Sequence, residues 1–202
     1  PQWRAGAPNG VIATPQDLPT SFSATENVLW SAPVPGRGHS SPTIHEDKII
    51  LTTCDEDTAV HSVLAYDRES GSQLWKTDVL SPGQLPKIHK KNTHASQSVA
   101  CDGERVFAYF FDHAKDLHLI ALDLDGTEVW RKNPGTFHTK FEFGFGTSPI
   151  LVGNTVVVCG DGQDAFLAAY DQASGNEVWR TKRRSGGSFS TPALMTVAGK
   201  EQ

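Results

Sequence analysis

Three stretches of this chain follow one pattern, and that repetition limits the fold more than any other feature. They are Tyr66-Asp67-Arg68-Glu69-Ser70-Gly71-Ser72-Gln73-Leu74-Trp75, the one-residue-shorter Leu122-Asp123-Leu124-Asp125-Gly126-Thr127-Glu128-Val129-Trp130, and Tyr170-Asp171-Gln172-Ala173-Ser174-Gly175-Asn176-Glu177-Val178-Trp179. Each reads as a hairpin. Tyr or Leu ends one strand, Asp67, Asp123 or Asp171 opens a turn, and Gly71, Gly126 or Gly175 supplies a positive-φ position before the next strand begins. The tryptophan that follows has a ring large enough to fill the gap between two successive sheets.

Upstream of each hairpin the sequence repeats again: a Ser/Thr-rich opening, a short strand, a polar turn and a strongly β-prone run. The first strands are SSPTI at 40–44, ASQSV at 95–99 and TSPIL at 147–151. The β-prone runs are KIILTTC at 48–54, RVFAYFF at 105–111 and TVVVC at 155–159. HSVLAY, DLHLIAL and AFLAAY then precede the hairpins, giving four strands per unit at a spacing of roughly fifty residues. No helical period intervenes. The pattern predicts an all-β fold, a β-propeller of four-stranded antiparallel blades at about 39–80, 95–133 and 147–182.

Two fragments flank these blades. Asn27-Val28-Leu29-Trp30 matches the strand ending at Trp179, so 27–34 reads as an orphan outer strand after an extended segment at 1–26. Ser190-Thr191-Pro192-Ala193-Leu194 matches 147–151 and opens an incomplete blade at 190. Propellers close by sharing a blade between the two ends of the chain, which removes exposed sheet edges. The expectation is a partial ring of a seven- or eight-bladed propeller spanning 27–202, completed by a missing half or by a second copy.

Composition excludes several roles. The 202 residues carry 38% hydrophobic side chains and a formal net charge of −5, which suits a packed core and argues against a nucleic-acid partner. Two basic clusters, KIHKK at 87–91 and RTKRR at 180–184, read as solvated loop or strand ends. No apolar run is long enough for a transmembrane helix. Cys54, Cys101 and Cys159 form no C-x-x-C pair, and two of them close equivalent strands as small apolar residues.

The Asp-x-x-(x)-Gly-x-x-x-Trp signature resembles the quinoprotein-like (PQQ-like) repeat of the quinoprotein alcohol dehydrogenase-like and BamB-like propellers, over about 27–195. Gln2-Trp3-Arg4, Pro8-Asn9-Gly10 and Gly36 to Pro42 resemble the opening of exported bacterial proteins of this group. That resemblance implies a periplasmic or extracellular setting. In the dehydrogenases of the family it implies a vicinal cysteine pair beside the quinone, a tryptophan under it, and Glu, Asn and Asp around calcium. No Cys-Cys pair occurs here. Asp55, Asp57, Asp161 and Asp164 sit between second and third strands, where turn chemistry accounts for them. No cofactor or metal is therefore expected, and the leading reading is a non-catalytic scaffold that binds a protein or small ligand. The alternative is a PQQ-dependent oxidoreductase, with calcium, whose site the missing half completes.

The segments before each first strand fall at the channel mouth of a propeller, where binding residues gather. They offer Arg37, His39, His94, Lys140, Glu142, Phe143, Phe145 and Phe189 as a ligand-binding rim. The competing reading has the same residues plugging the channel or packing the inner strands.

Overall fold

The computed structural model describes residues 18–138, 141–184 and 187–202. The Gln2-Trp3-Arg4 stretch with the rest of 1–17, Lys140 and Gly186 lie outside the described residues. The architecture is all-β. Three four-stranded antiparallel sheets follow one another along the chain, each with its strands in sequence order. The first contains β1 (Thr43–His45), β2 (Lys48–Asp55), β3 (Val60–Asp67) and β4 (Gln73–Leu80). The second contains β5 (Ala100–Cys101), β6 (Arg105–Phe111), β7 (Leu117–Asp123) and β8 (Glu128–Lys132). The third contains β9 (Ile150–Val152), β10 (Thr155–Gly160), β11 (Phe166–Asp171) and β12 (Glu177–Lys182), and a short hairpin, β13 (Thr196–Val197) with β14 (Lys200–Glu201), ends the chain. The sheets form a partial propeller that does not close. Among the described residues no helix is long and apolar enough to cross a membrane.

Strand period explains how the middle blade serves two neighbours. Successive side chains of β6 point to opposite faces. Phe107, Tyr109 and Phe111 therefore enter a core shared with β10 and β11, which supply Val156, Val158, Ala168 and Tyr170. Val106, Ala108 and Phe110 enter the other core, with Ile50, Val63 and Ala65 of the first blade. A strand flanked by sheets on both faces needs an unbroken apolar run, and RVFAYFF supplies one. The outermost strand has no such need: all six residues of β12 are exposed.

The tryptophans tie each unit to the next. Trp30, Trp75 and Trp130 donate their indole N–H to the carbonyls of Arg68, Leu124 and Gln172 at 3.0, 2.9 and 3.0 Å, each the residue after the turn aspartate of the following repeat. The rings lie over Gly71, Gly126 and Gly175. A Cβ at these glycines would stand 2.5, 2.8 and 2.7 Å from a ring carbon, and φ there is +73°, +84° and +68°. Glycine is thus required twice, by the turn and by the ring. The aspartates close the turns through Oδ1, which accepts the N–H of Ser70, of Asp125 and Thr127, and of Ser174.

Among the described residues, 27–34 pair with no strand, yet Trp30 docks as its counterparts do. Two expectations change on this scaffold. The first strands begin later than their sequence pattern indicates, because the backbone N–H groups just before them turn sideways to the next blade, those of His39 and Ser40 to the Ala95 carbonyl and that of Ser41 to Ser98 Oγ. Trp179, expected to be buried like Trp130 (9% exposed), is 42% exposed, because among the described residues no fourth turn covers it. Trp179→Ala should accordingly change unfolding free energy by less than about 1 kcal/mol in a urea titration.

Candidate functional site

The inner edges of the blades carry a row of hydroxyls. The backbone N–H of Ser41 donates to Ser98 Oγ at 2.8 Å, that of Ser98 to Ser148 Oγ at 3.0 Å, and that of Ser148 to Thr191 Oγ1 at 3.1 Å. These are the same position in four successive repeats, the second residue of SSPT, QSVA, TSPI and STPA. Each hydroxyl satisfies a neighbour's backbone donor, so the row holds the blades together where the first strands are too short to do so. A groove of about 400 Å³ opens along it, lined also by His39, Gly146 and Phe189.

The rim residues divide into three groups. His39, Phe143 and Phe189 face outward at the groove and beside it, with Phe143 5.2 Å from Phe141 and 6.0 Å from Phe189 between ring centroids. Arg37 and His94 join a separate network: Glu56 takes Arg37 Nη1 at 3.4 Å and His94 Nδ1 at 3.0 Å, while His94 Nε2 meets the Pro86 carbonyl at 2.9 Å. Burial alone would raise the Glu56 carboxyl, but these hydrogen bonds and charges outweigh it and hold it below its usual range. His94 is a strut between two loops, and it does not share the groove with His39. Glu142 pairs with Lys87 at 3.1 Å. Phe145 belongs to none of these groups. It is 1% exposed and packs edge-to-face on Tyr109 and Phe137, so it is a core residue.

Several residues escape the sequence reading. Asp55 does cap its turn, accepting the N–H groups of Asp57 and Thr58, and burial is not needed to explain it. Asp161 is different: it is buried, and Arg183 Nη1 comes within 2.9 Å of its Oδ1, close enough for an ion pair although not aligned as a hydrogen bond. RTKRR is therefore not only a solvated strand end, since Arg183 offsets a buried charge. Arg180 likewise pairs with Glu177 at 2.6 Å and lies 4.5 Å over the Phe166 ring. The hydroxyl row was visible as a repeated Ser/Thr, but nothing in spacing alone says that it bonds across blades.

The donor set for quinone and calcium chemistry does not converge. Among the described residues no three His, Cys, Asp or Glu groups come together as a metal site. Trp30, Trp75 and Trp130 are committed to the turns they dock on, and Trp179 stands exposed on the outermost strand β12. The three cysteines are free and buried, and burial pushes the Cys54 thiol up to about 12 and that of Cys159 to about 11, far from thiolate reactivity. The described residues do not fit either group.

Comparison with known proteins agrees with the architecture. A quinohemoprotein alcohol dehydrogenase from Pseudomonas putida HK5 superposes with a TM-score of 0.52 and 21% identity, over 75% of this chain and 21% of that one. The europium-containing methanol dehydrogenase gives a TM-score of 0.53 and 16% identity, over 73% and 25%. BamB from Moraxella catarrhalis gives 0.48 and 16%, over 78% and 55%. The chain spans a fifth to just over half of these proteins, and at such identities the first two show the fold alone. No match was found among curated proteins. The family profile described as outer membrane protein assembly factor BamB matches residues 3–110 and, overlapping them, 60–202. With its repeats, blade order and profile match in agreement, the chain belongs to that family of PQQ-like propeller proteins.

Proposed function

We infer that the chain forms part of a non-catalytic propeller scaffold, periplasmic or extracellular, that binds a protein or small ligand at the mouth of its channel. The observation that carries this reading is the groove itself. Four successive repeats present hydroxyls along one line, and an exposed aromatic cluster stands at its side. Such a surface offers hydrogen-bond donors and apolar contact, the two components of recognition. Among the described residues the groove's titratable side chain is His39, and the hydroxyls of Ser98, Ser148 and Thr191 already accept backbone N–H groups.

The test is direct. Purified protein, supplied with alcohols and an artificial electron-accepting dye in the presence of calcium and added quinone, should show no turnover. A tightly bound quinone seen by absorbance, together with dye reduction, would overturn the scaffold reading in favour of an oxidoreductase.

A further inference from the structure

Two hollows open on the rim and meet at the aromatic cluster. One is the hydroxyl groove, which Phe189 helps to line. The other, of about 340 Å³, is bounded by Lys87, His113, Lys115 and Glu142 with Leu85 and Pro86. Lys87 and Glu142 also line a small recess under Phe141, so Phe141, Phe143 and Phe189 bridge the two hollows as one ridge. The three rings are about half exposed on a surface where most large apolar groups are covered, which marks an interaction site.

The polar groups along this path are nearly all donors or cations. The hydroxyls of Ser98, Ser148 and Thr191 accept N–H groups, and among the described residues nothing takes their protons. Lys115 lies over the Phe111 ring at 5.9 Å and has no carboxylate partner among the described residues. His89 sits 6.1 Å from Phe143, in the loop that also carries Lys90 and Lys91. Among the described residues Glu142 is the one carboxylate lining these hollows, and its pair with Lys87 is so exposed, at 56% and 82%, that it adds little and separates readily. In a chain of net charge −5, these hollows are thus lined by more cations than carboxylates.

Resting on the scaffold reading above, we propose that this path docks an extended acidic segment of a partner polypeptide. An apolar side chain of that segment lies against Phe143 and Phe189. Its oxygens take the hydroxyl protons on one side, and on the other a carboxylate displaces Glu142 from Lys87 and approaches Lys115. The concave hollows suit a peptide better than a flat bilayer. The near-parallel stacking of Phe141 on Phe143, at 19°, already occupies one face of each ring on which a nucleic-acid base would stack.

The probe is a short fluorescein-labelled peptide in which Asp and Glu flank a central Leu-Phe pair, followed by anisotropy. Saturable binding that weakens as salt rises is expected. The same peptide with Lys at every acidic position should bind at least about tenfold more weakly. Phe143→Ala and Lys87→Glu should each weaken the acidic peptide about tenfold or more at unchanged melting temperature, whereas Val178→Ala, on the far strand, should leave it unchanged. Equal binding of both peptides, indifference to both substitutions, or preferential capture of oligothymidylate or phosphatidylglycerol vesicles at the same salt overturns the proposal. Failure of the peptide to bind a protein that also lacks dye-linked turnover overturns this inference alone. Bound quinone with turnover overturns the scaffold reading beneath it.

Discussion

Replacing Trp130 with alanine is expected to destabilise the protein by about 3–5 kcal/mol, the largest effect of any single truncation considered. The ring closes the junction between the second and third blades, touching Phe107 on one side and the Gly175 turn on the other. Its removal opens a cavity there, and it strands the Gln172 carbonyl that took the indole N–H at 3.0 Å. Trp130→Phe separates these contributions: most of the ring remains, the donor does not, and a loss of about 1–3 kcal/mol is expected. Gly175→Ala attacks the same contact from the other side, since the added methyl meets the ring at 2.7 Å in a positive-φ turn. Urea unfolding of the three variants decides the matter. A loss below about 1 kcal/mol for Trp130→Ala would show that the junction is held by something else.

The second large effect is a pH dependence centred on His61. This side chain is fully buried beside Phe110, its ring centroid 5.1 Å away, and neither nitrogen has a hydrogen-bond partner among the described residues. Burial lowers its pKa from 6.5 to about 4, and the nearby His94 pushes the same way. The Leu80 backbone, near the ring but too poorly aligned for a full hydrogen bond, acts against this; His118 adds to the repulsion, while Asp112, paired with His118 at 2.9 Å, opposes it. Because the folded value lies below the unfolded one, the unfolded chain binds the proton more tightly. Stability is therefore complete above pH 6.5 and falls as the pH drops toward 4, by about 3 kcal/mol from this residue. Asp67 and Asp171, held low by hydrogen bonds from Ser70 and Ser174, act in the same direction only below that window. His61→Leu should flatten the stability curve between pH 6.5 and 4 while leaving stability near neutral pH unchanged or raised. An unaltered slope in this variant would assign the acid sensitivity to other groups.

What the sequence revealed follows from what repeats. Trp75 and Trp130 announced a junction because the same residue recurred at the same place in a hairpin. Where each indole would land was not legible, since that contact crosses from one repeat to the next. Phe141, Phe143 and Phe145 show the limit in the other direction. They share one parity in FEFGF and are indistinguishable by pattern, yet only Phe145 reaches Tyr109 and Phe137 and is buried. Asp161 resembled a turn residue because it follows a strand as Asp55 does. Its burial depends on Arg183, a residue beyond the next two strands, and no local spacing encodes that pairing. His61 sits in a run that reads as an ordinary strand, so its isolation could be seen only once Phe110 closed over it.

The docking of each indole on the turn of the following repeat has a consequence for how such chains can grow. One stretch of about ten residues holds both a socket, the Asp-to-Gly turn, and a plug, the tryptophan that ends it. Duplicating or deleting a whole unit therefore always adds or removes one of each, and every surviving plug still finds a socket ahead of it. Blade number can drift without inventing a new interface. The shorter middle copy, which lacks one residue between Asp123 and Gly126, still receives Trp75 and still sends Trp130 onward. The coupling thus tolerates small errors of length as well as changes in count, while its head-to-tail direction leaves the last tryptophan of any open array waiting for a partner.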